Sequence, residues 1–498
     1  MATTAAPELV SVNPATLEPV GSVSRTDPDE VSLVVAAARA AQERWWAVGP
    51  SARAGVLSEA ARVVRARADE IADSIVAETA KPRTEAIANE LYAAVDHATW
   101  LAKHAPRVLA DERVRFSQLH LKTKKAWLLY EPLGVVAAIT PWNIPFAIPF
   151  REVATAVAAG NAVLLKPSEL TPLTGQWVGS VFQEAGAPDG LVQIVQGEGP
   201  VGEALVGDPG ISKVFFTGSV VVGRRVAAAA GARGCPVVLE LGGKDPMVVF
   251  ADADLDRAVD GALFASFLNA GQACVSAERI YVERGVYDEF AQRLSRRAQG
   301  LKLGDDVGPL ISERQRDNVE RLTSARRQER AGWFLEPTVV RGPLPDEEIF
   351  GPVVTVEPFD GEDEAVRHAN DSEFGLAASV WSRDLEKATR VARRIEAGMV
   401  WVNDFGYSFT TGQASWGGTK SSGFGRTSSK HGLYECVQVK YLDSDRGLLR
   451  PAWWFPYDPK TERALRAALD VLYGSGFQRW RDAWRYRGDL RHLLRRSR

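Results

Sequence analysis

The spacing of apolar residues divides the chain into parts with helical and with strand-like patterns. Between residues 30 and 110 the sequence is rich in Ala, and apolar residues recur at helical spacing, as at Val56, Ala60 and Val63, which predicts a run of helices. After Leu133, short apolar runs rich in β-branched residues alternate with helical segments. These runs are VVAAIT (135–140), NAVLL (161–165), LVQIV (191–195), KVFF (213–216) and PVVLEL (236–241). The alternation predicts a parallel doubly wound sheet, in which ligands bind at the carboxyl ends of the strands.

A second block, from about residue 243 to 425, repeats this alternation. Its predicted strands are MVVF, RIYV, VVTVEPF and MVWVND, and its predicted helices include 252–269 and 384–396. The predicted fold class is therefore α/β, with two doubly wound parallel-sheet domains that face each other across a cleft. Between Arg113 and Tyr130 the pattern changes to two short strands around KTKK. This pattern suits a small protruding β arm, whose exposed edges would need a partner strand.

The composition is that of a folded protein with more than one domain. With 498 residues, 45% hydrophobic and 25% charged, the chain can form about two or three domains. Its three cysteines, Cys235, Cys274 and Cys436, make no disulfide framework and lack the spacing of a zinc site. We therefore expect no metal and a reducing compartment. The sequence has neither a secretory signal pattern nor a long uncharged apolar run, which predicts a cytoplasmic protein.

The net charge of −3 conceals a basic C-terminal extension. Residues 446–498 contain 13 Arg and Lys against 5 Asp and Glu, a net charge of +8, together with several Trp. The overall balance gives no indication of nucleic-acid binding. The extension has two interpretations: a helical arm that packs on a neighbouring subunit, or a basic face that lies on an anionic membrane surface. We favour the arm, because Asp482 and Asp489 interrupt the basic face.

Three motifs contain residues suited to nucleophilic catalysis. In NAGQACVSAER, Cys274 lies between small residues near a predicted helix terminus, a setting that can expose a thiol and lower its pKa. In LELGGKDP, Glu240 ends a buried strand, where a partly desolvated carboxylate can act as a general base. In TPWNIPF, Asn143 lies in a Pro-flanked loop that can hold its amide toward a developing oxyanion. Each residue taken alone also has an ordinary structural interpretation. Cys274 would be a small buried side chain, Glu240 an acid that caps the next element, and Asn143 a turn asparagine.

Two further strand-end loops suit a dinucleotide. FTGSVVVG contains Gly218, Ser219 and Gly223 at a strand-to-helix turn, where backbone N–H groups can meet a pyrophosphate at a helix N-terminus. LLKPSEL contains Lys166 and, three residues later, Glu169, which can supply a cation and a hydroxyl acceptor beside an adenosine ribose. Either loop alone could equally be an ordinary strand-end turn.

Together these five motifs resemble the aldehyde dehydrogenase superfamily, in the family's order and near its spacing, from about Val12 to about Asp443. The resemblance includes EEIFGPV (347–353) and GGTKSSGFGR (417–426). It implies NAD(P)-dependent oxidation of an aldehyde to the carboxylic acid through a cysteine thiohemiacetal and a thioester, with NAD as the expected cofactor and NADP as an alternative. The implied division is an NAD(P)-binding domain (1–112 and 133–242), a catalytic domain (243–430), oligomerisation strands (113–132 and 433–445) and the basic extension (446–498).

The resemblance also implies roles for individual residues. Cys274 is the nucleophile, Glu240 the general base, and Asn143 the oxyanion donor together with the Cys274 backbone N–H. The implied cofactor-binding residues are Ile139, Thr140, Trp142, Lys166, Glu169, Gly218, Ser219, Gly223, Leu241, Glu348 and Phe350. Among these, Lys166 and Glu169 belong to the adenosine ribose, Ser219 to the pyrophosphate, Glu348 to the nicotinamide-side ribose, and Trp142 and Phe350 to the nicotinamide end.

Two other functional classes remain open. One is a CoA-acylating relative, in which a thiol takes the acyl group; Glu240 argues against it, because such members tend to lack a base at this position. The other is a catalytically silent structural or binding protein on the same fold. The intact set of Cys274, Glu240 and Asn143 argues against that alternative.

The sequence departs from the family pattern in two places. The segment ARRQERAGWFLEPTVVRGPLPDEEIFGP is compressed, which predicts a shortened surface helix or strand in the catalytic domain. After GFGR comes TSSKHGL, which lacks the acidic residue that some members carry there, so a proton relay through that position is not available.

The substrate and the assembly are less directly encoded. Arg151 lies where the resemblance to succinate semialdehyde dehydrogenases puts an arginine that binds a substrate carboxylate; the alternative is a salt bridge with Glu152 or another acid. An aromatic substrate entrance is expected from Phe146, Phe267, Tyr407 and Trp416.

The family's oligomers pair the hairpin arm with a C-terminal strand of another subunit, and ECVQVKYLD (435–443) has the alternation of such a strand. A homodimer or homotetramer is implied.

Overall fold

Residues 8–118, 121, 124–447 and 450–496 are described by the structure, which is a computed structural model of the protein. Contacts divide the chain into unit 1, Met1–Leu109 with Glu131–Gln438, and unit 2, Ala110–Tyr130 with Val439–Arg498. The helices are α1 (Val31–Ala47), α2 (Gly49–Ala66), α3 (Ala68–Thr79), α4 (Arg83–Glu85), α5 (Tyr92–Val108), α6 (Ala147–Ala158), α7 (Pro172–Glu184), α8 (Gly199–Gly207), α9 (Val220–Ala232), α10 (Leu255–Phe267), α11 (Tyr287–Gln299), α12 (Glu313–Leu322), α13 (Gly361–Asn370), α14 (Leu385–Ala392), α15 (Ser429–Glu435), α16 (Pro459–Tyr473), α17 (Gly476–Arg485) and α18 (Arg487–Arg496).

The strands alternate with these helices as the sequence predicts. They are β1 (Glu8–Val12), β2 (Pro19–Ser24), β3 (Glu112–Val114), β4 (Lys124–Pro132), β5 (Val135–Ile139), β6 (Ala162–Lys166), β7 (Val192–Ile194), β8 (Ile211–Thr217), β9 (Val237–Glu240), β10 (Asp245–Val249), β11 (Ala277–Glu283), β12 (Thr338–Arg341), β13 (Val353–Phe359), β14 (Ala377–Trp381), β15 (Met399–Val402), β16 (Gly423–Phe424) and β17 (Val437–Asp445). The run of helices predicted between residues 30 and 110 is confirmed by α1 to α5.

The first sheet of unit 1 has the strand order β16-β9-β8-β5-β6-β7. Strands β5 to β9 are parallel, and the central strands β5, β6 and β8 are almost wholly buried, whereas the edge strand β7 is only half-buried. The chain starts at β5, builds outward to β7, and then returns to place β8 on the other side of β5. This reversal is a topological switch point, and parallel sheets bind ligands in the crevice outside the strand ends there. The loops after Ile139 and Thr217 therefore lie side by side.

The second sheet of unit 1 has the order β12-β13-β11-β10-β14-β15, and all its strands are parallel. The α/β fold class with two parallel-sheet domains is thus confirmed. Three strands differ from the sequence analysis. Strands β12 and β14 lie outside the strands predicted from apolar runs, and Gly423–Phe424, predicted within the second domain, instead adds β16 to the first sheet by pairing with β9.

Unit 2 contains a three-stranded sheet of order β17-β4-β3, followed by helices α16, α17 and α18. The predicted hairpin turn at KTKK falls partly on residues 122–123, which lie outside the described residues. Strand β17, expected to pair with the arm of another subunit, pairs here with β4 of its own chain. Over the described ranges, none of the helices combines the length and the apolar character needed to cross a bilayer.

Candidate active site

Cys274 lies in a strained loop between α10 and β11. Three consecutive residues, Asn269, Ala270 and Gly271, have positive φ angles of 53°, 56° and 71°. At Gly271 a side chain is excluded, because a Cβ would overlap the backbone carbonyl of Gly351. Strain of this kind persists only where surrounding contacts enforce it, and it is common at functional sites. The loop thus holds the half-buried Cys274 in a fixed position beside the second domain's strand ends.

The electrostatic surroundings of Cys274 differ from those expected. Desolvation raises the pKa of the Cys274 thiol well above its ordinary value, and the carboxylates of Glu240, Asp245 and Glu348 raise it further. The sequence-based idea that this setting lowers the thiol pKa is therefore wrong for the cofactor-free protein. The physical reason is first the burial of the sulfur, to which the three acidic residues add more than the single cation, Arg151, removes. Cys274 is a thiol in this state and must lose its proton to become a nucleophile.

Asn143 is fixed from both of its ends. Its side-chain Nδ2 donates to the Gln272 carbonyl at 3.1 Å, and its backbone carbonyl accepts from Lys81 Nζ at 2.8 Å and from Asn269 Nδ2 at 3.0 Å. Lys81 is in turn paired with Glu90 at 2.7 Å, with both side chains almost fully buried. The Asn143 amide is therefore held rigidly beside the Cys274 loop.

The Lys81–Glu90 pair was not predicted from the sequence. Glu90 Oε2 also accepts from the backbone N–H groups of Phe146 and Ala147, at 2.7 and 3.3 Å, which cap the N-terminus of α6. A lysine and a glutamate nine residues apart in a helical region look like surface residues. Only the long-range contact with the Asn143 loop reveals their role.

Glu240 ends β9 and is almost completely buried. Its Oε2 accepts from Arg151 Nη2 at 2.9 Å, and its Oε1 accepts a short hydrogen bond from Thr427 Oγ1. Arg151 also lies over the ring of Trp416, 5.7 Å from its centroid. Glu240 is thus oriented by one cation and one hydroxyl.

A cavity of about 380 Å³ lies at the switch point of the first sheet. Most of the predicted cofactor residues line it, namely Trp142, Glu169, Gly218, Ser219, Leu241, Glu348 and Phe350, together with Asn143, Glu240 and Cys274. Ser219 is the N-cap of α9, and its side chain accepts from the Val222 N–H. The N-terminus of α9 thus lies in the cavity wall, and a helix N-terminus is a position that favours an anion.

Four predicted cofactor residues lie behind this cavity wall: Ile139, Thr140, Lys166 and Gly223. Lys166 Nζ is 3.7 Å from Oε2 of Glu169, and Glu169 itself lines the cavity. Gly223 faces Leu241, and a Cβ there would overlap the leucine side chain. The glycine therefore permits close packing of α9 on the loop after β9.

Glu348 and Phe350 are positioned by a second buried ion pair that the sequence analysis missed. Lys244 Nζ is 3.0 Å from Glu278 Oε2, and the Glu278 carboxylate accepts from the Ile349 and Phe350 N–H groups. Glu348 Oε1 accepts from the Gly243 N–H at 3.0 Å. Burial, and then repulsion by Glu278, raise the pKa of Glu348 to about 8.

A second cavity, of about 570 Å³, meets the other side of Cys274. Its wall is rich in aromatic side chains: Tyr92, Phe264, Trp381, Phe405, Phe409 and Trp416. Acidic residues Glu85, Asp260 and Asp404 also line it, against Arg257 as a cation. Among the described residues that line the two cavities, only Asn143 and Cys274 belong to both.

The expected substrate residues divide between this cavity and the core. Trp416 lines the cavity, whereas Phe146 stacks on Phe150 in the first core and Phe267 belongs to the core of the second domain. The expectation that Phe146 and Phe267 form the entrance is thus not met, because packing buries both rings. Arg151 adopts the salt-bridge alternative, with Glu240 as its partner and outside the cavity wall. The Tyr407 side chain lies outside the described residues.

This arrangement, a cysteine between a switch-point cavity and an aromatic cavity, agrees with comparisons to known proteins. The model of the aldehyde dehydrogenase family matches residues 2–442. The betaine aldehyde dehydrogenase of Rhizobium leguminosarum bv. trifolii is 38% identical over 86% of this chain and 92% of its own. That of Bacillus subtilis is 36% identical over 86% of this chain and 93% of its own.

Solved structures give the same result. An aldehyde dehydrogenase from Brucella melitensis biovar abortus has a TM-score of 0.83 at 36% identity, covering 88% of this chain and 94% of its own. Betaine aldehyde dehydrogenase from Staphylococcus aureus, solved with NAD+, has a TM-score of 0.85 at 33% identity, covering 90% and 94%. The chain therefore belongs to the aldehyde dehydrogenase family. The predicted family, fold class and oxidation of an aldehyde are confirmed.

Proposed function

We propose that Cys274 is the nucleophile of an NAD-dependent aldehyde dehydrogenase, with Asn143 as oxyanion donor and Glu240 as general base. One observation carries this assignment: Cys274 and Asn143 line both cavities. An aldehyde in the aromatic cavity and a cofactor in the switch-point cavity would therefore meet at the Cys274 sulfur. A reaction that joins two ligands needs its nucleophile at that boundary.

The switch-point cavity fits a dinucleotide on several grounds. The N-terminus of α9, with Gly218 and Ser219, suits a pyrophosphate, while Glu348 and Glu169 offer carboxylates to the two riboses. Gly242 is needed beside Glu348, because a Cβ there would overlap its carboxylate. When bound, NAD+ accepts a hydride from the substrate carbon. Because the Glu169 carboxylate would repel a 2′-phosphate, we expect NAD to be preferred over NADP.

Once the Cys274 thiol has lost its proton to water, the first chemical step forms a bond between the thiolate sulfur and the aldehyde carbon, and the carbonyl π electrons move to oxygen. Asn143 Nδ2, now on the Gln272 carbonyl, can donate to the resulting oxyanion, because its backbone is clamped by Lys81. Return of the oxyanion electrons, with loss of the hydride, leaves a thioester on Cys274.

Hydrolysis of the thioester requires a second group. Glu240 removes a proton from water, whose oxygen attacks the thioester carbon and releases the acid and the Cys274 thiolate. Arg151 and Thr427 hold the carboxylate through one oxygen each, which keeps it at the wall of the switch-point cavity next to Cys274. An enzyme that passes the acyl group to CoA would have no use for a base held in this way.

The aromatic cavity suits a small cationic aldehyde. The rings of Trp381, Phe405, Phe409 and Trp416 can bind a quaternary ammonium through cation–π contacts. The names of the relatives, betaine aldehyde dehydrogenases, support the same substrate class. Since Arg151 is committed to Glu240, a substrate carboxylate has no partner there. We expect kcat/KM for betaine aldehyde to exceed that for succinic semialdehyde about tenfold or more.

We further propose that the chain forms a homo-oligomer. Strand β17 is an edge strand whose outer residues Val439, Tyr441 and Leu442 are exposed, and such edges usually acquire a partner. Sedimentation velocity of the purified chain tests this, since a monomer at micromolar concentration would contradict it.

Two variants test the catalytic assignment by the absorbance of reduced cofactor. Cys274→Ala should abolish turnover while cofactor binding persists, and Glu240→Gln should give one burst of reduced cofactor with the acyl group retained on the protein. Cys235→Ala, at a buried cysteine outside both cavities, is the matched control and should remain active. Substantial turnover by Cys274→Ala, or an unchanged steady-state rate for Glu240→Gln, would disprove the assigned role.

A further inference from the structure

Helix α17 presents an aromatic face to solvent. Phe477, Trp480 and Trp484 are 83%, 75% and 72% exposed. Their spacings of three and four residues place all three on one side of the helix. Exposed rings of this size are costly in water, and a row of them marks a surface that contacts something else.

The same helix is basic on its outer surface. Arg481 and Arg485 follow the aromatic residues by one position and are exposed, so they flank the rings. Asp482, the carboxylate of this helix, is only 6% exposed and points inward, 3.6 Å from Arg481 Nε. The sequence-based expectation that Asp482 interrupts the basic face is therefore wrong. Asp489, the second acidic residue expected to interrupt it, is half-buried in the first turn of α18 and lies outside α17.

We propose that this face of α17 binds the surface of a bilayer that contains anionic phospholipid. Amphipathic helices at such surfaces combine Trp and Phe on one face with flanking Arg, since the rings enter the headgroup region while the guanidinium groups meet phosphate. The neighbouring helix α18 adds exposed Arg491 and Arg495, and the whole extension has a net charge of +8.

Other occupants fit this face less well. In a two-fold contact between copies, the same patch would face itself, which brings Arg481 and Arg485 against their own equivalents. On duplex nucleic acid the arginines would find phosphates, but three protruding rings would stay in water. An anionic bilayer satisfies both features.

The test is co-sedimentation of the full-length enzyme with vesicles of phosphatidylcholine, with and without phosphatidylglycerol. Binding is expected only to the anionic vesicles at about 0.1 M salt, with release at about 1 M, where the Debye length falls from about 10 Å to about 3 Å. Arg481→Gln with Arg485→Gln should weaken binding roughly 25-fold, at about fivefold per charge. Trp480→Ser with Trp484→Ser should also weaken it, at unchanged dehydrogenase activity.

The matched control is Arg62→Gln with Arg65→Gln, which removes two exposed charges from α2 and should leave vesicle binding intact. Absence of binding to anionic vesicles at low salt would overturn the proposal. So would α17 variants that bind as well as the unaltered enzyme. A change in oligomer size caused by the α17 variants without vesicles would assign the face to a second copy of the chain instead.

Discussion

The buried Lys81–Glu90 ion pair is hydrogen-bonded to the backbone of Asn143, the proposed oxyanion donor. Lys81 Nζ bonds both Glu90 Oε1 and the Asn143 carbonyl, and the two side chains are 2% and 0% exposed. Replacing Lys81 with Met keeps most of the side-chain volume but removes the charge and both hydrogen bonds. The substitution therefore perturbs the stability of the fold and the position of Asn143 at once.

The two effects have different magnitudes and can be separated. Breaking a buried pair by removing one partner leaves an uncompensated charge, here Glu90, and costs about 3–5 kcal/mol of unfolding free energy. In Lys81→Met with Glu90→Gln no charge is left unpaired, so most of this stability should return. The Asn143 carbonyl still lacks its lysine, however, and an oxyanion donor that shifts costs about tenfold to hundredfold in kcat.

Stability is measured by urea or thermal denaturation, and kcat by formation of reduced cofactor, for the single and the double variant. Arg83→Met is the matched control. Arg83 is two residues from Lys81 in the sequence, but it forms its ion pairs with the exposed Asp69 and Asp73. It should cost less than about 1 kcal/mol and leave kcat unchanged. If kcat of the double variant recovers together with its stability, Lys81 acts only on folding, and the positioning argument fails.

Two further predictions concern pH. Because desolvation and nearby carboxylates raise the pKa of Cys274, alkylation of the cofactor-free enzyme by iodoacetamide should still accelerate with pH above about pH 8, and a plateau below that would contradict the result. Burial, and then repulsion by Glu240, raise the pKa of Glu152 from the ordinary 4.5 to about 8, so the folded state binds this proton more tightly than the unfolded chain. The stabilising contribution of the Glu152 proton is complete below the unfolded pKa of about 4.5 and is lost as the pH rises toward 8. Glu152→Gln should therefore gain stability relative to the unaltered protein between these pH values, by up to about 1.4 kcal/mol per pH unit. A stability difference that does not change with pH would exclude this cause.

The sequence predicted most of what depends on local pattern. Strands β5, β6, β8 and β9 are mostly apolar runs; Glu240 ends β9, and the loops that follow β5 and β8 contain Asn143 and Ser219. Strand β12, at the edge of the second domain's sheet, has three half-buried residues and one exposed residue and gave no such signal. Strand β14, AASVW, is central and buried, but its small Ala and Ser residues form no run of large apolar side chains. Apolar runs therefore miss an exposed edge strand and a central strand of small residues.

Contacts between distant residues could not be predicted in the same way. Four charged residues, a type that is usually exposed, are buried here: Lys81, Glu90, Lys244 and Glu278. Their burial depends on the paired charge and on backbone groups of another segment, which are carbonyls for the lysines and N–H groups for the glutamates. For the same reason the rings of Phe146 and Phe267 looked suited to a substrate entrance, while three-dimensional packing places both in the core.

Thr427 occupies the position at which some family members have an acidic residue, and it contacts the proposed general base. After GFGR the chain has no acidic residue, which by sequence removes a proton relay at that position. In the structure the Thr427 hydroxyl donates directly to one oxygen of Glu240, and Arg151 donates to the other. A carboxylate at position 427 would repel Glu240, whereas the Thr427 hydroxyl and the Arg151 guanidinium each donate a hydrogen bond to it. Two hydrogen-bond donors, a hydroxyl and a guanidinium, thus orient the base.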